Sequence, residues 1–307
     1  MAQNNFTNKL ILGDNLIELQ KLPEKSVDLI YLDPPFFSNR TYEVIWGDDG
    51  EVRSFEDRFA GGIDHYISWL KIRVRQMHRI LKDTGSIFLH CDWHANAEIK
   101  IDILNKIFGR NNFRNEIVWC YTGGTDSKNR WQRKHDTIFF YTKSKNYTYN
   151  GDFEEFSDNT LKRFNKEDEK GRYKINKLFG GRITKTYMKK EGKRAPDYWY
   201  IPIVNRTFAE GIGYPTQKPE ALLQRIIECC TNEGDVVLDP FLGGGTTIDV
   251  ANRLNRKWIG IDQSVMAIKV SDLRLKKRQN ELFAQPYEVV LPTYDFSKLQ
   301  SQDGKEF

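Results

Sequence analysis

The stretch DVVLDPFLGGGTT, residues 235–247, carries the clearest structural signal in the sequence. Its first part, 235–241, is an apolar run that ends at Asp239 and Pro240, which is typical of a strand buried on both faces of a parallel sheet. Three glycines follow, and residues 246–254 have the apolar spacing of a helix. A strand, a glycine-rich turn and a helix in this order indicate the ligand-binding end of an open α/β sheet.

The glycine-rich turn is not one of the two commonest nucleotide loops. No lysine follows the glycines, so it is not a nucleoside-triphosphate phosphate loop, and Ile248 occupies the last glycine position of a GxGxxG pattern. The next strand ends at Asp262, whose carboxylate can accept hydrogen bonds from both hydroxyls of a ribose. The pair of features favours a nucleoside-containing cofactor over a purely structural turn.

Strand-like and helix-like segments alternate on both sides of residues 235–247. The predicted strands are 9–14, 27–36, 85–92, 115–121, 136–144, 235–241 and 257–262. The predicted helices are 15–22, 65–82, 97–108, 218–231, 246–254 and 264–278. This alternation predicts a doubly wound α/β domain with a parallel sheet, into which residues of about 145–212 are inserted. Residues 37–63 are predicted to form a long loop, and the tail from Pro286 is predicted to be irregular.

Composition excludes several classes of protein. The 307 residues, with 39% hydrophobic and 13% aromatic residues, can bury a large core and are unlike a disordered chain. No stretch approaches the roughly 20 apolar residues of a membrane span, and the first residues lack the apolar core of a signal peptide. The four cysteines, Cys91, Cys120, Cys229 and Cys230, form no CxxC pair, so neither a zinc finger nor a disulfide framework is indicated. Reduced thiols and a cytoplasmic location are expected.

The charge is concentrated in one segment. The whole chain has a net charge of +5, but residues 160–195 hold 13 Lys and Arg against four acidic residues, a net +9, leaving −4 elsewhere. A polyanionic partner and a solvated basic face both fit this composition.

A second chemical candidate is Asp33-Pro34-Pro35-Phe36, which ends the strand 27–36. Two successive prolines remove two backbone donors and stiffen the chain, so carbonyl oxygens are left as acceptors beside a carboxylate and an aromatic ring. Such a group can receive a flat molecule with an exocyclic amine, whereas a strand that is simply terminated by prolines is the structural alternative.

Three motifs in this order resemble the S-adenosylmethionine-dependent DNA amino-methyltransferases of the β group. They are DPPF at 33–36, Thr216-Gln217-Lys218-Pro219 before a helix, and DPFLGGGTT at 239–247. The resemblance covers roughly residues 9–150 and 212–275, with the catalytic motif first and the cofactor loop last. It implies a Rossmann-like methyltransferase sheet with circularly permuted motifs. The implied regions are a catalytic half (1–144), a target-recognition region (145–212), a cofactor-binding half (213–285) and a C-terminal tail (286–307).

The resemblance also assigns roles position by position. It implies that the catalytic motif around the target amine is Asp33, Pro34, Pro35 and Phe36. It implies that S-adenosylmethionine is bound by Asp14, Thr216, Lys218, Asp239, Phe241, Gly243, Gly245, Thr246 and Asp262. The implied substrate is double-stranded DNA, with the target base flipped out of the duplex. A homodimer and a cognate restriction endonuclease are further partners that the resemblance allows.

The sequence also bears on which DNA base would be methylated. Asp at the first catalytic position resembles adenine-N6 enzymes, and cytosine-N4 methylation is the nearest alternative. More distant alternatives are methylation of RNA or a protein glutamine, a catalytically silent DNA-binding or dimerisation partner, and a nicotinamide-dependent oxidoreductase, which the glycine pattern disfavours.

The candidate DNA-binding residues come from the loop before strand 136–144 and from the basic segment: Arg133, His135, Arg182, Lys185, Lys189, Lys190, Lys193 and Arg194. Trp131 of the same loop fits either packing or a place near the DNA. Tyr198, Trp199 and Tyr200 are predicted to support the small core of the insertion. The cations at 274 and 276–278 are predicted to form a solvated helix face. His90-Cys91-Asp92-Trp93-His94 contains metal-ligand residue types, but strand alternation separates neighbours, so no metal is predicted.

Overall fold

The computed structural model describes most of the chain as two compact units. It describes residues 7–37, 61–122, 128–204, 214, 217–277 and 285–292, and the backbone of 41–46 and 51–56. The first unit comprises Met1–Tyr149 and Asp197–Phe307, and the second comprises Asn150–Pro196. The second unit is therefore narrower at both ends than the insertion that the sequence indicates.

A nine-stranded sheet forms the centre of the first unit. From edge to edge its strands are β13 (Tyr198–Tyr200), β6 (Phe113–Cys120), β7 (His135–Thr142), β5 (Leu81–Cys91), β2 (Val27–Leu32), β14 (Val236–Asp239), β15 (Lys257–Asp262), β1 (Asn8–Leu12) and β16 (Tyr287–Val290). All neighbours run parallel except β7, which is antiparallel to both β5 and β6. The predicted α/β class and parallel sheet are confirmed.

Helices cover both faces of this sheet because its central strands are apolar at successive positions. In β2, Ile30 and Leu32 join one core cluster, whereas Leu29 and Tyr31 join the other. The first cluster is covered by α1 (Asn15–Lys21), α2 (Gly62–Ile80) and a helical segment at 96–107. The second is covered by α6 (Glu220–Cys230), α7 (Thr246–Arg253) and α8 (Val265–Lys277). Among the described residues, no helix is long and apolar enough to cross a membrane.

The predicted helix 97–108 is present over residues 96–107 and contains a π-helical segment (Ile99–Leu104) between α3 (Asn96–Glu98) and α4 (Asn105–Ile107), and a 3₁₀ turn follows at Arg110–Asn112. Two other local predictions are wrong. The predicted loop 37–63 contains the antiparallel pair β3 (Thr41–Trp46) and β4 (Glu51–Glu56). The predicted irregular tail contributes β16, which pairs with β1. The hairpin was detectable, since its first strand is rich in β-branched and aromatic residues.

The second unit is built from short antiparallel pairs. Strands β9 (Lys166–Asp168), β10 (Gly171–Lys177) and β11 (Ile183–Tyr187) form a three-stranded sheet, and β8 (Phe153–Glu154) pairs with β12 (Lys193–Arg194). One short helix, α5 (Asp158–Arg163), precedes them.

Tyr198, Trp199 and Tyr200 do not belong to a core of the insertion. They form β13, which pairs in parallel with β6 of the main sheet. Trp199 is buried in the first unit's core, and Trp119 of β6 donates from its indole N–H to the carbonyl of Ile201 at 2.8 Å. The main-chain pairing, which the composition of YWY does not reveal, decides their place.

Arg274 is also misassigned by the sequence, because it is buried rather than on a solvated face. Its guanidinium bonds Asp249 of α7 at 3.1 Å and Glu220 of α6 at 2.7 Å. A third set of contacts reaches the carbonyl of Gly244 and the hydroxyl of Thr246. Arg274 therefore ties three helices to the glycine-rich turn. Lys276 is exposed as predicted, and residue 278 lies outside the described residues.

Replacing Arg274 with methionine should destabilise the first unit by about 3–5 kcal/mol, because the fully buried carboxylate of Asp249 would lose its arginine partner. Thermal and urea unfolding measure this loss. Lys276→Met on the same helix is the matched control, since its exposed pair with Asp272 should contribute within about 1 kcal/mol. Equal stability of the two variants would contradict the structural role of Arg274.

Candidate active site

Four carboxylates stand at the carboxyl ends of four adjacent strands. Asp33 follows β2, Asp239 ends β14, Asp262 ends β15 and Asp14 follows β1. The backbone N–H of Gly13 donates to the carbonyl of Asp262 at 2.9 Å, which joins the last two ends. Ligands of open α/β sheets bind at this edge. The structure thus brings together acidic residues that the sequence places far apart.

Asp33 has one engaged and one unengaged carboxylate oxygen. The ammonium of Lys218 donates a hydrogen bond to Oδ2 and forms an ion pair with it. The other oxygen, Oδ1, is buried and has no hydrogen-bond partner among the described residues. A buried acceptor without a donor is costly, so such an atom is a candidate for contact with a ligand.

The aromatic ring of the DPPF motif is supported from two sides. The ring of Phe36 lies 5.5 Å from the ring of His90, and the ammonium of Lys218 lies 5.4 Å from its centre. The following residue, Phe37, has a φ of +59°, a left-handed conformation that is uncommon for a bulky side chain. The chain therefore leaves the motif through a sharp change of direction, which no sequence signal indicates.

The glycine-rich turn is fixed by the two acids beside it. Asp239 accepts hydrogen bonds from the N–H of Phe241 at 3.0 Å and from the hydroxyl of Thr247 at 2.6 Å. Burial raises the pKa of Asp239 to about 7, against the effect of these donors. Gly245 has a φ of +71°, and a Cβ there would lie 2.4 Å from the hydroxyl of Ser271. Glycine is therefore required at this position by both backbone and space.

Asp262 holds the other side of the turn. Its Oδ2 accepts from the N–H of Gly243 at 2.9 Å and its Oδ1 accepts from the N–H of Ser264 at 2.8 Å. Burial raises the pKa of Asp262, and these backbone donors oppose the shift. Tyr214 approaches the same turn, since a Cβ at Gly243 would lie 3.4 Å from its ring. Burial, followed by the charges of Asp262 and Asp33, raises the pKa of the Tyr214 hydroxyl.

Asp14 is held by helix α2, through residues that sequence reasoning missed. Asp14 caps α1 by accepting from the N–H groups of Leu16 and Ile17, and its Oδ2 pairs with Arg73 at 3.0 Å. Arg73 also donates to Asn15, which in turn donates to the carbonyl of Pro240 at 2.8 Å. A buried arginine on an otherwise apolar helix face was the available signal.

Trp69, on the same helix as Arg73, connects Arg73 to the glycine-rich turn. The guanidinium of Arg73 lies 4.1 Å from the centre of the Trp69 ring, and the same ring lies 5.8 Å from that of Phe241. Phe241 is one of the predicted cofactor residues, so the aromatic contact fixes part of the candidate cofactor site. Tyr214 and Trp69 are aromatic residues beside this site that the motifs do not include.

Some predicted site residues have other neighbours than expected. Lys218, which the resemblance places at the methionine end of the cofactor, bonds Asp33. The hydroxyl oxygen of Thr246 accepts a hydrogen bond from Arg274 at 3.2 Å. Thr216 and the Gly-Gly loop at 123–124 lie outside the described residues.

The candidate DNA-binding residues are exposed in both units. In the first unit, the guanidinium of Arg133 lies 3.5 Å from the centre of the Trp93 ring, and His135 begins β7. Trp131 is 95% exposed. In the second unit, Lys185 pairs with Asp168 at 2.8 Å and Arg194 stacks over Phe153. The remaining four cations of the second unit's set are exposed: Arg182, Lys189, Lys190 and Lys193.

The HCDWH sequence places a histidine beside Asp33. His90 is fully buried, with Nδ1 2.8 Å from the hydroxyl of Tyr31 and Nε2 3.3 Å from Asp136. The described residues contain no group of three or more His, Cys, Asp or Glu side chains that could hold a metal ion. Strand alternation directs His90 toward Asp33, and its partners come from other strands.

Comparisons with known proteins agree on one family. A family model described as DNA methylase matches residues 27–272. The chain is 33% identical to the DNA adenine methyltransferase YhdJ of Escherichia coli, over 88% of this chain and 83% of that protein. It is 32% identical to the type II methyltransferase M.BglII of Bacillus subtilis, over 83% of this chain and 65% of that protein. The structure resembles that of PvuII DNA methyltransferase, which is described as cytosine-N4-specific. The two share 18% identity and a TM-score of 0.59, over 87% and 86% of the chains.

Proposed function

The chain belongs to the DNA methylase family, and we propose that it transfers a methyl group from S-adenosylmethionine to the N6 amino group of adenine in duplex DNA. The observation that carries the proposal is the unengaged, buried Oδ1 of Asp33. It stands at the end of the strand next to the one that leads into the glycine-rich turn. An acceptor for an amine and a candidate cofactor turn therefore lie at neighbouring strand ends.

The residues present fit S-adenosylmethionine. Asp262 supplies a carboxylate for ribose hydroxyls, Gly243 and Gly245 allow close approach of the backbone, and Phe241 and Tyr214 supply apolar rings. Asp14 lies at the next strand end, and Asp239 fixes the turn. The cofactor, when bound, supplies an electrophilic methyl group on a sulfonium. Negative charge at this edge of the sheet favours such a cation.

Asp33 and Pro34 would activate the target amine. The lone pair of an adenine amino nitrogen is delocalised into the ring, so the nitrogen is a poor nucleophile. Hydrogen bonds from its two protons to Asp33 Oδ1 and the Pro34 carbonyl favour a more tetrahedral nitrogen and release that lone pair. Lys218 holds Oδ2 and thereby orients Oδ1. Positioning and electrostatics supply the rate enhancement, and no cysteine nucleophile is needed.

The charges around Asp33 match a reaction in which the amine gains positive charge. Asp33 and Asp136 carry two negative charges and Lys218 one positive charge, and all three are largely buried. The balance of these three side chains is one negative charge. This charge stabilises a transition state in which the attacking nitrogen becomes cationic, and low solvent exposure strengthens the interaction.

The target base would leave the duplex to reach Asp33, and Phe36 would stack on it. Enzymes that modify a paired base extrude it into a pocket and commonly stack an aromatic side chain on it. Phe36 is partly exposed and is braced by His90, so its ring can support a base without changing place.

Adenine is the proposed base because DPPF has Asp at its first position. The similarity to a relative named an adenine methyltransferase supports this choice. The family also contains cytosine-N4 enzymes, and both bases present an exocyclic amine to the same acceptors. A homodimer, a cognate restriction endonuclease and a cytoplasmic location stay predictions.

We propose that the second unit is the target-recognition region and contacts phosphates through its cations. The six candidate DNA-binding cations of this unit are all exposed, and neutralising phosphates with Lys and Arg gives affinity that depends strongly on salt. Arg133 and His135 would add contacts from the first unit. Sequence readout would need side chains at base edges as well, because phosphate contacts carry no sequence information.

Incubation with labelled S-adenosylmethionine and duplex DNA, followed by digestion to nucleosides, tests the function. The expected product is N6-methyladenine. Asp33→Ala should lower single-turnover methyl transfer by on the order of 100-fold or more while leaving cofactor affinity nearly unchanged. Asp83→Ala, which removes an exposed carboxylate of the same unit, is the control. N4-methylcytosine as the product would refute adenine specificity, and full activity of Asp33→Ala would refute the mechanism.

Replacing Lys189, Lys190 and Lys193 together with alanine should weaken DNA binding. The slope of log affinity against log salt should become shallower by about 2–3, if each lysine neutralises one phosphate. The matched control removes three exposed lysines of the first unit, Lys21, Lys25 and Lys106. Fluorescence anisotropy across a salt series measures the DNA affinity and the salt slope of each triple variant. Identical slopes for the two triple variants would remove the second unit from the DNA interface.

A further inference from the structure

His90 is a fully buried polar side chain between Asp33 and a second carboxylate. It lies near the end of β5, between β2, which leads to Asp33, and β7, which carries Asp136. The rings of Phe36 and Trp119 pack against it at 5.5 and 5.4 Å. A polar ring buried to this extent is stable only when its nitrogens are hydrogen-bonded. The partners of the two nitrogens therefore decide which of them carries the proton.

The contacts of Asp136 indicate whether Nε2 of His90 carries a proton. Its Oδ2 lies 3.3 Å from Nε2, and its Oδ1 accepts from the hydroxyl of Tyr121 at 3.1 Å. Both carboxylate oxygens of Asp136 therefore lie within hydrogen-bond distance of a group that can donate a proton, as an ionised carboxylate requires. An ionised carboxylate only accepts hydrogen bonds, so Nε2 must carry a proton.

The hydroxyl of Tyr31 is the hydrogen-bond partner of Nδ1 of His90. Its hydroxyl lies 2.8 Å from Nδ1 and is buried. Burial, followed by the charges of Asp33, Asp239 and Asp136, raises the pKa of Tyr31 well above the ordinary value, so the hydroxyl keeps its proton. In a neutral ring with a proton on Nε2, the lone pair of Nδ1 accepts this hydroxyl proton.

The position of the proton on His90 affects Oδ1 of Asp33. Its Oδ1 lies 3.8 Å from Nδ1 of His90. With the proton on Nε2, two acceptors face each other and no hydrogen bond forms between them. With the proton on Nδ1, a small movement would let His90 donate to Oδ1 and occupy it. The tautomer of His90 therefore decides whether Oδ1 is available.

We propose that Asp136 and Tyr31 lock His90 in the Nε2–H tautomer, so that Asp33 Oδ1 stays free to accept the N–H of the target amine. His90 is a positioning residue, because it acts through Asp33 and Phe36. The proposal rests on the proposed function, since it concerns the same amine. Among the described residues, the groups around His90 are Asp33, Tyr31, Asp136 and the rings of Phe36 and Trp119.

Two-dimensional ¹⁵N NMR of protein labelled at histidine tests the lock in the unaltered chain. The His90 signals are assigned by their loss in His90→Gln. We expect the shifts of a neutral ring with the proton on Nε2 at neutral pH. A proton on Nδ1, or an imidazolium, would overturn the proposal whatever the behaviour of any variant.

Asp136→Asn tests the consequence for catalysis. With its amide oxygen turned to the Tyr121 hydroxyl, the new side chain presents NH₂ to Nε2 and favours the proton on Nδ1. Single-turnover methyl transfer should fall by roughly 100- to 10,000-fold, with cofactor affinity changed by less than about threefold. The NMR signals should report the changed tautomer, which loss of packing alone would not produce. A wild-type rate, or a slow variant that keeps the Nε2–H tautomer, would overturn the proposal.

A second Asp–His pair in the same strand-end segment provides the matched control. Asp92 bonds Nδ1 of His94 at 2.6 Å, and Asp92→Asn makes the same chemical change. Its rate should stay within about threefold of wild type. An equal loss in both variants would attribute the effect to the segment rather than to His90. Failure of the proposed function would look different, since the unaltered protein would then produce no methylated adenine.

Discussion

The site depends on negative charge gathered at one edge of a parallel sheet. Asp14, Asp33, Asp239 and Asp262 meet there because the carboxyl ends of adjacent parallel strands coincide. Each carboxylate is costly to bury, and each has fixed hydrogen-bond donors. Asp14 pairs with an arginine and Asp33 with a lysine. Asp239 accepts from a hydroxyl and a backbone N–H, and Asp262 accepts from two backbone N–H groups. The same charges favour a sulfonium and an amine that becomes cationic, so one arrangement serves cofactor and substrate.

Two basic side chains hold this edge together from elsewhere in the chain. Lys218 lies 185 positions from Asp33, and Arg73 lies 59 positions from Asp14. Arg274 similarly connects helices α6, α7 and α8 to the glycine-rich turn. Because buried ion pairs often cost as much in desolvation as they gain, these contacts are better understood as fixing geometry than as adding net stability. Fixed geometry is what transfer of a methyl group between two bound partners requires.

The sequence was sufficient for local patterns and insufficient for long-range contacts. Apolar runs ended by Asp-Pro located the strands β2 and β14, the motifs pointed to Asp33, Gly243 and Gly245, and the end of the following strand pointed to Asp262. The role of Lys218 at Asp33, the lock around His90 and the buried place of Arg274 depend on side chains that meet only in the folded protein. A basic residue in the last turn of a helix looks like a solvated one until its neighbours are known. Likewise, YWY at 198–200 gives no indication of which sheet it joins.

The proposed catalysis depends on Asp33 Oδ1 as the acceptor for the target amine. A crystal structure of the protein with S-adenosylhomocysteine and a duplex containing its recognition site tests this most directly. We expect a flipped adenine whose N6 lies about 3 Å from Asp33 Oδ1 and from the Pro34 carbonyl, with Lys218 still bonded to Oδ2 and Phe36 against the base. A base that remains in the duplex, or an amine bound away from Oδ1, would contradict it.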